Sequence, residues 1–442
     1  GMTTQPAGAP AYNPAAAWDK TPTNDGDFFA GYKTIKQNAT DSAAAGTALA
    51  SGVRTSNGRV NYDVDGNPLP FISQDMKDAG KAVGVVSSVG FSHATPAAFG
   101  AQSPTRGDLK GIASQMINGH TLDLIMGGGN PNFDNEGQPK NTPEYNWLSE
   151  ADWAAINAPD GPMTLIETKQ QFEALADGSL HVDGRLIGIP QIEETLQASR
   201  SPFIPADANQ PGSPNLVIPG VDTTIGQVLL PTVPDLATMT TGALNHLGKD
   251  DDGLFLMVEG GAVDWMAHAN ATGRVIEEQV EFNHAIGAAV DWVETNSSWD
   301  ETLMIVLTDH GNGAVMGPQS DQIPFQPIQN NGKGNLPGFL WHSDNHTTEN
   351  TLLWANGAGS ELLFNYVIGN DFGLEEVLGF NNGDYIDITG MNPAIRAAAG
   401  LNAPSAIPLP ASGWLMLGSL GVFMRLRGRH LRRADRQPCT AA

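Results

Sequence analysis

The chain has few of the residues that could crosslink it or attract a polyanion. It contains one cysteine, Cys439, so neither an intrachain disulfide nor a cysteine-based zinc cluster can form. Lysine and arginine number 23 against 48 aspartate and glutamate residues, which gives a net charge of −25. A chain this acidic repels nucleic acid, which is therefore not expected as a partner. An anionic substrate would need a local positive group, such as an arginine or metal ions held by histidine and carboxylate.

Short apolar runs alternate with helical patterns along most of the chain. The runs, typical of strands covered on both faces, are Ala82–Val89, Leu122–Met126, Leu254–Val258 and Leu303–Leu307. The helical patterns are Ala43–Ser51, Leu236–Leu247 and Glu277–Glu294. This alternation predicts an α/β domain over residues 1–403 with a mainly parallel sheet. The stretch from Asn130 to Pro231 is rich in Pro, Asn, Asp and Gly and is expected to form surface excursions with a few irregular helices.

Residues 404–442 have a different composition. A hinge with Pro404, Pro408 and Pro410 precedes the uncharged stretch Ala411–Met424 and six arginines between Arg425 and Arg436. The stretch is shorter than the roughly 17–25 apolar residues of a membrane-spanning helix, and a buried terminal helix is the alternative. With its Pro-Leu-Pro-Ala motif, the segment resembles the sorting tails of the PEP-CTERM type. The resemblance implies export to the periplasm, outer envelope or extracellular space, an exosortase-type processing partner, and a transmembrane anchor.

Residues of types that commonly serve as metal ligands follow three of the predicted strands. They are His93 and Thr95, then Glu259, Asp264 and His268, then Asp309 and His310. Because active sites of open α/β sheets lie at the carboxyl ends of the strands, we expect these side chains to meet. Asp264 and His268 are four residues apart, so on a helix they face the same way and can share one cation. A hydrogen bond between the two along the helix is the alternative.

A candidate nucleophile lies at the start of a predicted helix. Thr40-Asp41-Ser42 precedes an alanine-rich run, and Asp and Ser are favoured where helices begin. A plain helix cap explains this segment by itself. In the functional interpretation, the Ser42 hydroxyl lies beside a metal at the positive end of the helix, where a phosphate would also be stabilised.

Taken together and in this order, the motifs resemble those of alkaline phosphatases, from about Gly31 to about Ala399. The matching segments are Thr40-Asp41-Ser42-Ala43-Ala44, Val85-Val86-Ser87-Ser88, His93-Ala94-Thr95-Pro96-Ala97, Val258-Glu259-Gly260-Gly261, Thr308-Asp309-His310 and His346-Thr347-Thr348-Glu349. The resemblance implies a large, mostly parallel central sheet flanked by helices on both faces. It also implies hydrolysis of small phosphate monoesters through a phosphoserine, and it suggests a homodimer.

The resemblance further implies a role for each matching residue. Ser42 is the expected nucleophile and Arg106 the expected phosphate-binding arginine. The expected ligands are Asp264, His268 and His346 for one zinc ion, Asp309, His310 and Ser42 for a second, and Thr95 and Glu259 for a magnesium ion. Three further residues are expected beside these ligands: Asp41, His93 and Trp265. His93 stands where some members have Asp, and Trp265 stands where others have Lys or His, so the third metal and the surroundings of the phosphate are expected to differ.

The family's first strand ends in an aspartate that bridges two metals. This chain begins at Gly1-Met2, so the resemblance places that strand and its aspartate before Gly1 and predicts poor activity for this chain alone. Two other functions remain open at this stage. One is a related metal-dependent phosphodiesterase, and the other is a noncatalytic metal-binding protein of the cell envelope.

Overall fold

The structure is a computed structural model that describes residues 1–201, 215–216, 229–332, 335–378 and 382–401. Its strands are β1 (Met2–Thr3), β2 (Ala82–Gly90), β3 (Leu124–Gly128), β4 (Thr164–Ile166), β5 (Leu186–Gly188), β6 (Asn215–Leu216), β7 (Leu254–Glu259), β8 (Leu303–Leu307), β9 (Gly311–Asn312), β10 (Leu340–Trp341), β11 (His346–Thr347), β12 (Leu353–Gly357), β13 (Val367–Asn370) and β14 (Asp384–Asp387).

Helices occupy much of the remaining chain. They are α1 (Pro14–Ala17), α2 (Ala30–Ile35), α3 (Ser42–Ser51), α4 (Ile72–Asp78), α5 (Ala94–Ala98), α6 (Leu109–Asn118), α7 (Glu150–Ile156), α8 (Lys169–Ala176), α9 (Leu236–Leu247), α10 (Ala262–His268), α11 (Thr272–Asn296), α12 (Phe372–Leu378) and α13 (Met391–Ala398). Two 3₁₀ helices span Ser360–Tyr366 and Ile388–Gly390.

The central sheet has five strands, all parallel, in the order β4-β5-β3-β2-β7. All nine residues of β2 are buried, and its side chains alternate between two cores. Val83 and Val85 pack with residues of α3, α4 and α5 on one face, while Val86 packs with residues of α9 on the other. This arrangement confirms the predicted fold class, a mostly parallel sheet with helices on both faces.

The strands that lead to the predicted metal ligands are less covered than expected. Every residue of β7 and β8 is half-buried, whereas the sequence predicted strands covered on both faces. The strand β8 also lies outside the five-stranded sheet and pairs antiparallel with β12. Among the described residues, β7 and β8 each have a second edge without a partner strand. The apolar run shows that a strand forms, but its partners depend on residues far along the chain, so the predicted coverage was wrong.

The region from Asn130 to Pro231 contributes more than surface excursions. Its strands β4 and β5, each of three residues, complete one side of the central sheet. Three residues are too few to show an alternating or continuous apolar pattern, so the sequence did not reveal these strands. The region also contains the helices α7 and α8.

Among the described residues, none of the helices combines the length and the apolar character needed to cross a bilayer. The predicted sorting tail at residues 404–442, with its transmembrane anchor, lies outside the described residues.

Candidate active site

Ser42 is the first residue of α3, and Asp41 caps this helix. The Asp41 carboxylate accepts hydrogen bonds from the backbone N–H groups of Ala44 and Gly58, both at 2.9 Å. The helix ends at Gly52, whose positive φ of 75° suits a residue without a Cβ. The Ser42 side chain is buried, with 6% of the residue exposed. The Ser42 hydroxyl therefore lies at the positive end of a buried helix.

Arg106 is held beside Ser42 by two hydrogen bonds. One guanidinium nitrogen donates to the Asp41 carboxylate at 3.0 Å, and the other lies 3.0 Å from Nε2 of His93. Because a guanidinium only donates, Nε2 of His93 must accept, so that nitrogen carries no proton. Burial, together with the charge of Arg106, lowers the pKa of His93 to about 3, which keeps the imidazole neutral. Arg106 is thereby oriented before any ligand arrives.

Three predicted ligands converge at the carboxyl side of β7. Nε2 of His346 lies 3.3 Å from Asp264 Oδ1 and 3.0 Å from Nε2 of His268, and the latter nitrogen lies 3.5 Å from Asp264 Oδ2. Ligand atoms of one tetrahedral zinc ion, each about 2 Å from the metal, lie roughly 3.3 Å from one another. The three side chains therefore have the spacing of a shared cation.

The other ring nitrogens of these histidines donate to backbone carbonyls. Nδ1 of His346 donates to the Thr40 carbonyl at 2.7 Å, and Nδ1 of His268 donates to the Asp344 carbonyl at 2.8 Å. A carbonyl only accepts, so each Nδ1 carries a proton and each Nε2 offers its lone pair unless a second proton is bound. The two Nε2 atoms can therefore face each other only across a shared proton or a cation.

The neighbours of Asp264 and His346 shift the pKa values of both side chains. Burial opposes ionisation of Asp264, but the hydrogen bond with His346 and the charges of His310 and His268 outweigh burial and hold the pKa of Asp264 well below its usual range. Burial likewise opposes a charge on His346, yet the Asp264 carboxylate outweighs it and raises the pKa of His346. The cluster thus combines an ionised carboxylate with imidazole side chains, and these imidazoles suit zinc once their Nε2 atoms carry no proton.

A second set adjoins the first and includes the serine. Ser42 Oγ lies 3.1 Å from Nε2 of His310, which lies 3.3 Å from Asp309 Oδ2. Nδ1 of His310 is buried without a hydrogen-bond partner among the described residues, 4.0 Å from Asp264 Oδ1. The His310 ring stacks on that of His346 with centroids 3.6 Å apart. One ligand atom each from Asp264, His310 and His346 lies within 4.8 Å of the other two, so the two sets form one continuous cluster.

The two residues predicted to bind magnesium also meet. Glu259 ends β7 and accepts hydrogen bonds from the hydroxyls of Ser87 and Thr95. Burial, with a smaller contribution from the charges of Asp309 and Asp264, raises the pKa of Glu259 to about 7, although the two hydroxyls act in the opposite direction. Ionising this carboxyl group near neutral pH is therefore costly without a nearby cation.

Comparison with known proteins connects this geometry to a family. The sequence profile described as Alkaline phosphatase matches residues 15–171 and 220–359, which is more than half of the chain. The chain belongs to the alkaline phosphatase family.

Individual relatives agree with this assignment. Alkaline phosphatase 3 of Bacillus subtilis (strain 168) is 30% identical over 305 residues, which cover 66% of this chain and 54% of that relative. The tissue-nonspecific isozyme of alkaline phosphatase from Homo sapiens is 29% identical over 355 residues, which cover 71% of this chain and 63% of the isozyme. The chain thus spans 54% and 63% of the lengths of these two relatives.

Solved alkaline phosphatases share the fold. The enzyme from the Antarctic bacterium TAB5 matches with a TM-score of 0.54 at 21% identity, over 84% of this chain and 86% of that chain. The enzyme from Thermus thermophilus matches with a TM-score of 0.56 at 21% identity, over 84% of this chain and 82% of that chain.

The structure brings the predicted residues of this alkaline phosphatase family member to one place. An open cavity of about 460 Å³ is lined by Ser42, His93, Arg106, Asp264, Trp265, Met266, His268, Ala269 and His346. Asp41 contacts Arg106, His310 contacts Ser42, and Asp309 in turn contacts His310. Thr95 and Glu259 form their own pair. The role of each residue stays a prediction, but the predicted residues are neighbours in space.

One residue of the site escaped the sequence analysis. The side-chain amide of Asn312 donates to Asp264 Oδ1 at 2.6 Å and so helps to orient this carboxylate. Asn312 lies on β9 directly opposite His346 on β11. Its position two residues after His310 was the available signal, but an asparagine between two glycines is also common in ordinary turns, so the sequence alone did not single it out.

Proposed function

We propose that this protein is a metal-dependent phosphatase that hydrolyses phosphate monoesters through a phosphoserine at Ser42. One observation supports this most directly: Ser42 Oγ lies 3.1 Å from His310 Nε2 at the start of α3. The same cavity is lined by Arg106 and by the cluster of Asp264, His268 and His346. A nucleophile, an anion-binding group and cation ligands therefore surround one space.

We propose that the cluster holds two zinc ions and one magnesium ion. Imidazole with carboxylate suits zinc, and the spacing of both sets around Asp264 and His310 fits shared ions. The proposed zinc ligands are Asp264, His268 and His346 for one ion and Asp309, His310 and Ser42 for the other. Thr95 and Glu259 supply oxygen atoms only, which suits magnesium. When bound, the zinc ions would supply positive charge for the serine oxygen, the leaving oxygen and an attacking water.

In the proposed reaction, Ser42 Oγ loses its proton and forms a bond to phosphorus, while the bond to the alcohol oxygen breaks and that oxygen takes up a proton. A water molecule then adds to the phosphoserine, the Ser42–phosphorus bond breaks, Ser42 Oγ regains a proton, and inorganic phosphate leaves. The positive end of α3 stabilises the charge of the phosphoryl oxygens. The Arg106 fork can bind two of these oxygens, and its bonds to Asp41 and His93 keep it in position.

The Ser42→Ala variant tests the proposal. With p-nitrophenyl phosphate as substrate and zinc and magnesium supplied, we expect kcat/KM to fall by about 10³-fold or more, because removing a nucleophile eliminates the covalent route. Ser51→Ala is the matched control, since Ser51 lies at the other end of α3 and donates to the Thr47 carbonyl. Mass spectrometry of acid-quenched wild type should find phosphate on Ser42.

Unchanged phosphate release by Ser42→Ala would refute the proposal. No release by the metal-loaded full-length wild type would favour a noncatalytic metal-binding protein. Faster hydrolysis of bis(p-nitrophenyl) phosphate than of the monoester would favour a phosphodiesterase. The sorting tail, export, a homodimer and a bridging aspartate before Gly1 stay predictions that the described residues do not test.

A further inference from the structure

The cavity beside Ser42 is lined by both polar and apolar side chains. The polar ones include Ser42, Arg106 and three of the proposed zinc ligands. The apolar ones are Trp265, Met266 and Ala269, which belong to α10 and the residue that follows it. A volume of about 460 Å³ exceeds what a phosphate alone requires and falls within the range of about 300–1,000 Å³ typical of small-molecule sites. The cavity therefore has room for the alcohol part of an ester.

Trp265 is held in a fixed orientation by a second tryptophan. Its ring stacks on Trp147 with centroids 6.3 Å apart and an angle of 20° between the planes. Trp147 is only 6% exposed and packs closely on Gly90, where a Cβ atom would lie 2.2 Å from the Trp147 ring. His93 packs edge-on against Trp265 at 5.2 Å and 73°. The buried Trp147 ring thus cannot easily move. Because Trp265 stacks on it, the half-buried Trp265 ring keeps one orientation.

We propose that Trp265 binds the leaving group and that the protein prefers phosphate monoesters of flat aromatic alcohols. This proposal rests on the proposed phosphatase function. Once the phosphoryl group lies between Ser42 and Arg106, the alcohol part occupies the rest of the cavity, which Trp265 lines. An aromatic ring gains an oriented stacking interaction with an indole face that a puckered aliphatic ring of equal size does not gain.

Benzyl phosphate and cyclohexylmethyl phosphate form a matched pair of substrates for the test. Both esters release a primary alcohol of similar size and weak acidity, so the chemical step is nearly the same and the flatness of the ring differs. For Trp265→Ala we expect kcat/KM for benzyl phosphate to fall by about three- to tenfold, mainly through KM. The value for cyclohexylmethyl phosphate should change by less than about twofold.

Two further variants show whether the preference for benzyl phosphate comes from stacking on an aromatic ring, from the volume of the side chain, or from a change in folding. Trp265→Phe should keep most of the preference for benzyl phosphate because phenylalanine retains a flat ring. Trp265→Leu should lose the preference while filling much of the same volume, and thermal melting checks that each variant is folded. Trp354→Ala is the control, because Trp354 lies on β12 outside the cavity and is 49% exposed.

A binding measurement provides a readout without turnover. In a Ser42→Ala background, calorimetry should show that Trp265→Ala weakens benzylphosphonate binding by the same three- to tenfold factor, with inorganic phosphate affected by less than about twofold. Equal losses for both esters, or equal weakening of benzylphosphonate and inorganic phosphate, would overturn the proposal and leave Trp265 as a residue that shapes the phosphate site. If the full-length wild type hydrolyses neither these esters nor p-nitrophenyl phosphate, the phosphatase function fails, and benzylphosphonate binding still decides the role of Trp265.

Discussion

The side chains around Ser42 and those around Asp264 meet in one cavity, but their polar atoms are satisfied in different ways. The serine half consists of Asp41, Ser42, His93 and Arg106. Here donors and acceptors pair with each other, as in the two bonds that hold Arg106. The ligand half consists of Asp264, His268, Asp309, His310 and His346. Here the Nε2 atoms of His268 and His346 approach to 3.0 Å while both Nδ1 atoms donate to carbonyls, so a shared proton or a cation is needed between them.

The helices and strands that carry the two halves also differ in how deeply they are buried. The serine half lies on α3, where every residue except Ser51 is buried, and on the segment that follows the buried strand β2. Much of the ligand half follows β7 and β8, whose residues are all half-buried. We infer that the fold alone forms the serine half, while the ligand half depends on its cations. Variants in the two halves should therefore change different quantities, phosphate affinity in one and metal content in the other.

The largest effect is expected for Asp264→Asn in the ligand half. Asp264 contacts His268, His310 and His346, so losing its charge removes the centre of the cluster. We expect bound zinc to fall by at least about one equivalent and kcat/KM to fall by roughly 10³-fold, since the proposed metal ions would supply most of the positive charge for the reaction. Atomic absorption of the dialysed protein, together with kinetics, measures both quantities.

Asp344→Asn is the matched control for Asp264→Asn. Asp344 is exposed and contributes its backbone carbonyl to His268, so changing its side chain should alter neither quantity. Full zinc content in Asp264→Asn would contradict the assignment of this residue as a ligand.

An intermediate effect is expected for Arg106→Lys in the serine half. Lysine cannot reproduce the guanidinium fork that Asp41 and His93 hold in place. We expect inorganic phosphate to inhibit about ten- to a hundredfold more weakly, because a two-point contact becomes a single charge. Zinc content should stay at the wild-type value.

Arg59→Lys serves as the control for Arg106→Lys, because Arg59 donates to the Asp63 carbonyl and does not line the cavity. A loss of zinc in Arg106→Lys would break the distinction between the two halves.

The smallest effect is expected for Asn312→Ala, which leaves every proposed ligand in place. Asn312 orients Asp264 through one hydrogen bond, and loss of such a partner commonly weakens metal binding by about 10–100-fold. We expect zinc affinity, measured by competition with a chelator, to fall at the low end of this range. At saturating zinc, phosphate inhibition should return to the wild-type value. Asn356→Ala, an exposed change on β12, is the control, and weaker phosphate inhibition at saturating zinc would place Asn312 in the serine half instead.

The sequence predicted the parts of this site that depend on local patterns. The run Leu303–Leu307 predicted β8 at its observed bounds, and the ligands after β7 and β8 do meet. What the sequence could not predict was pairing over long distances. The half-burial of β7 and β8 and the places of β4 and β5 depend on which strands lie beside them. Asn312 was missed because its role appears only when β9 pairs with β11.

The helix α10 is only seven residues long, yet it carries Asp264, Trp265 and His268. A small rotation of this helix would move two proposed zinc ligands, Asp264 and His268, together with the Trp265 ring. Selection or engineering for a new alcohol would therefore be expected to alter how firmly the metal is retained. Substitutions at this helix that change substrate preference should therefore be accompanied by compensating changes elsewhere. Met266 and Ala269 line the cavity but have no ligand atoms, so substitutions there should affect metal binding least.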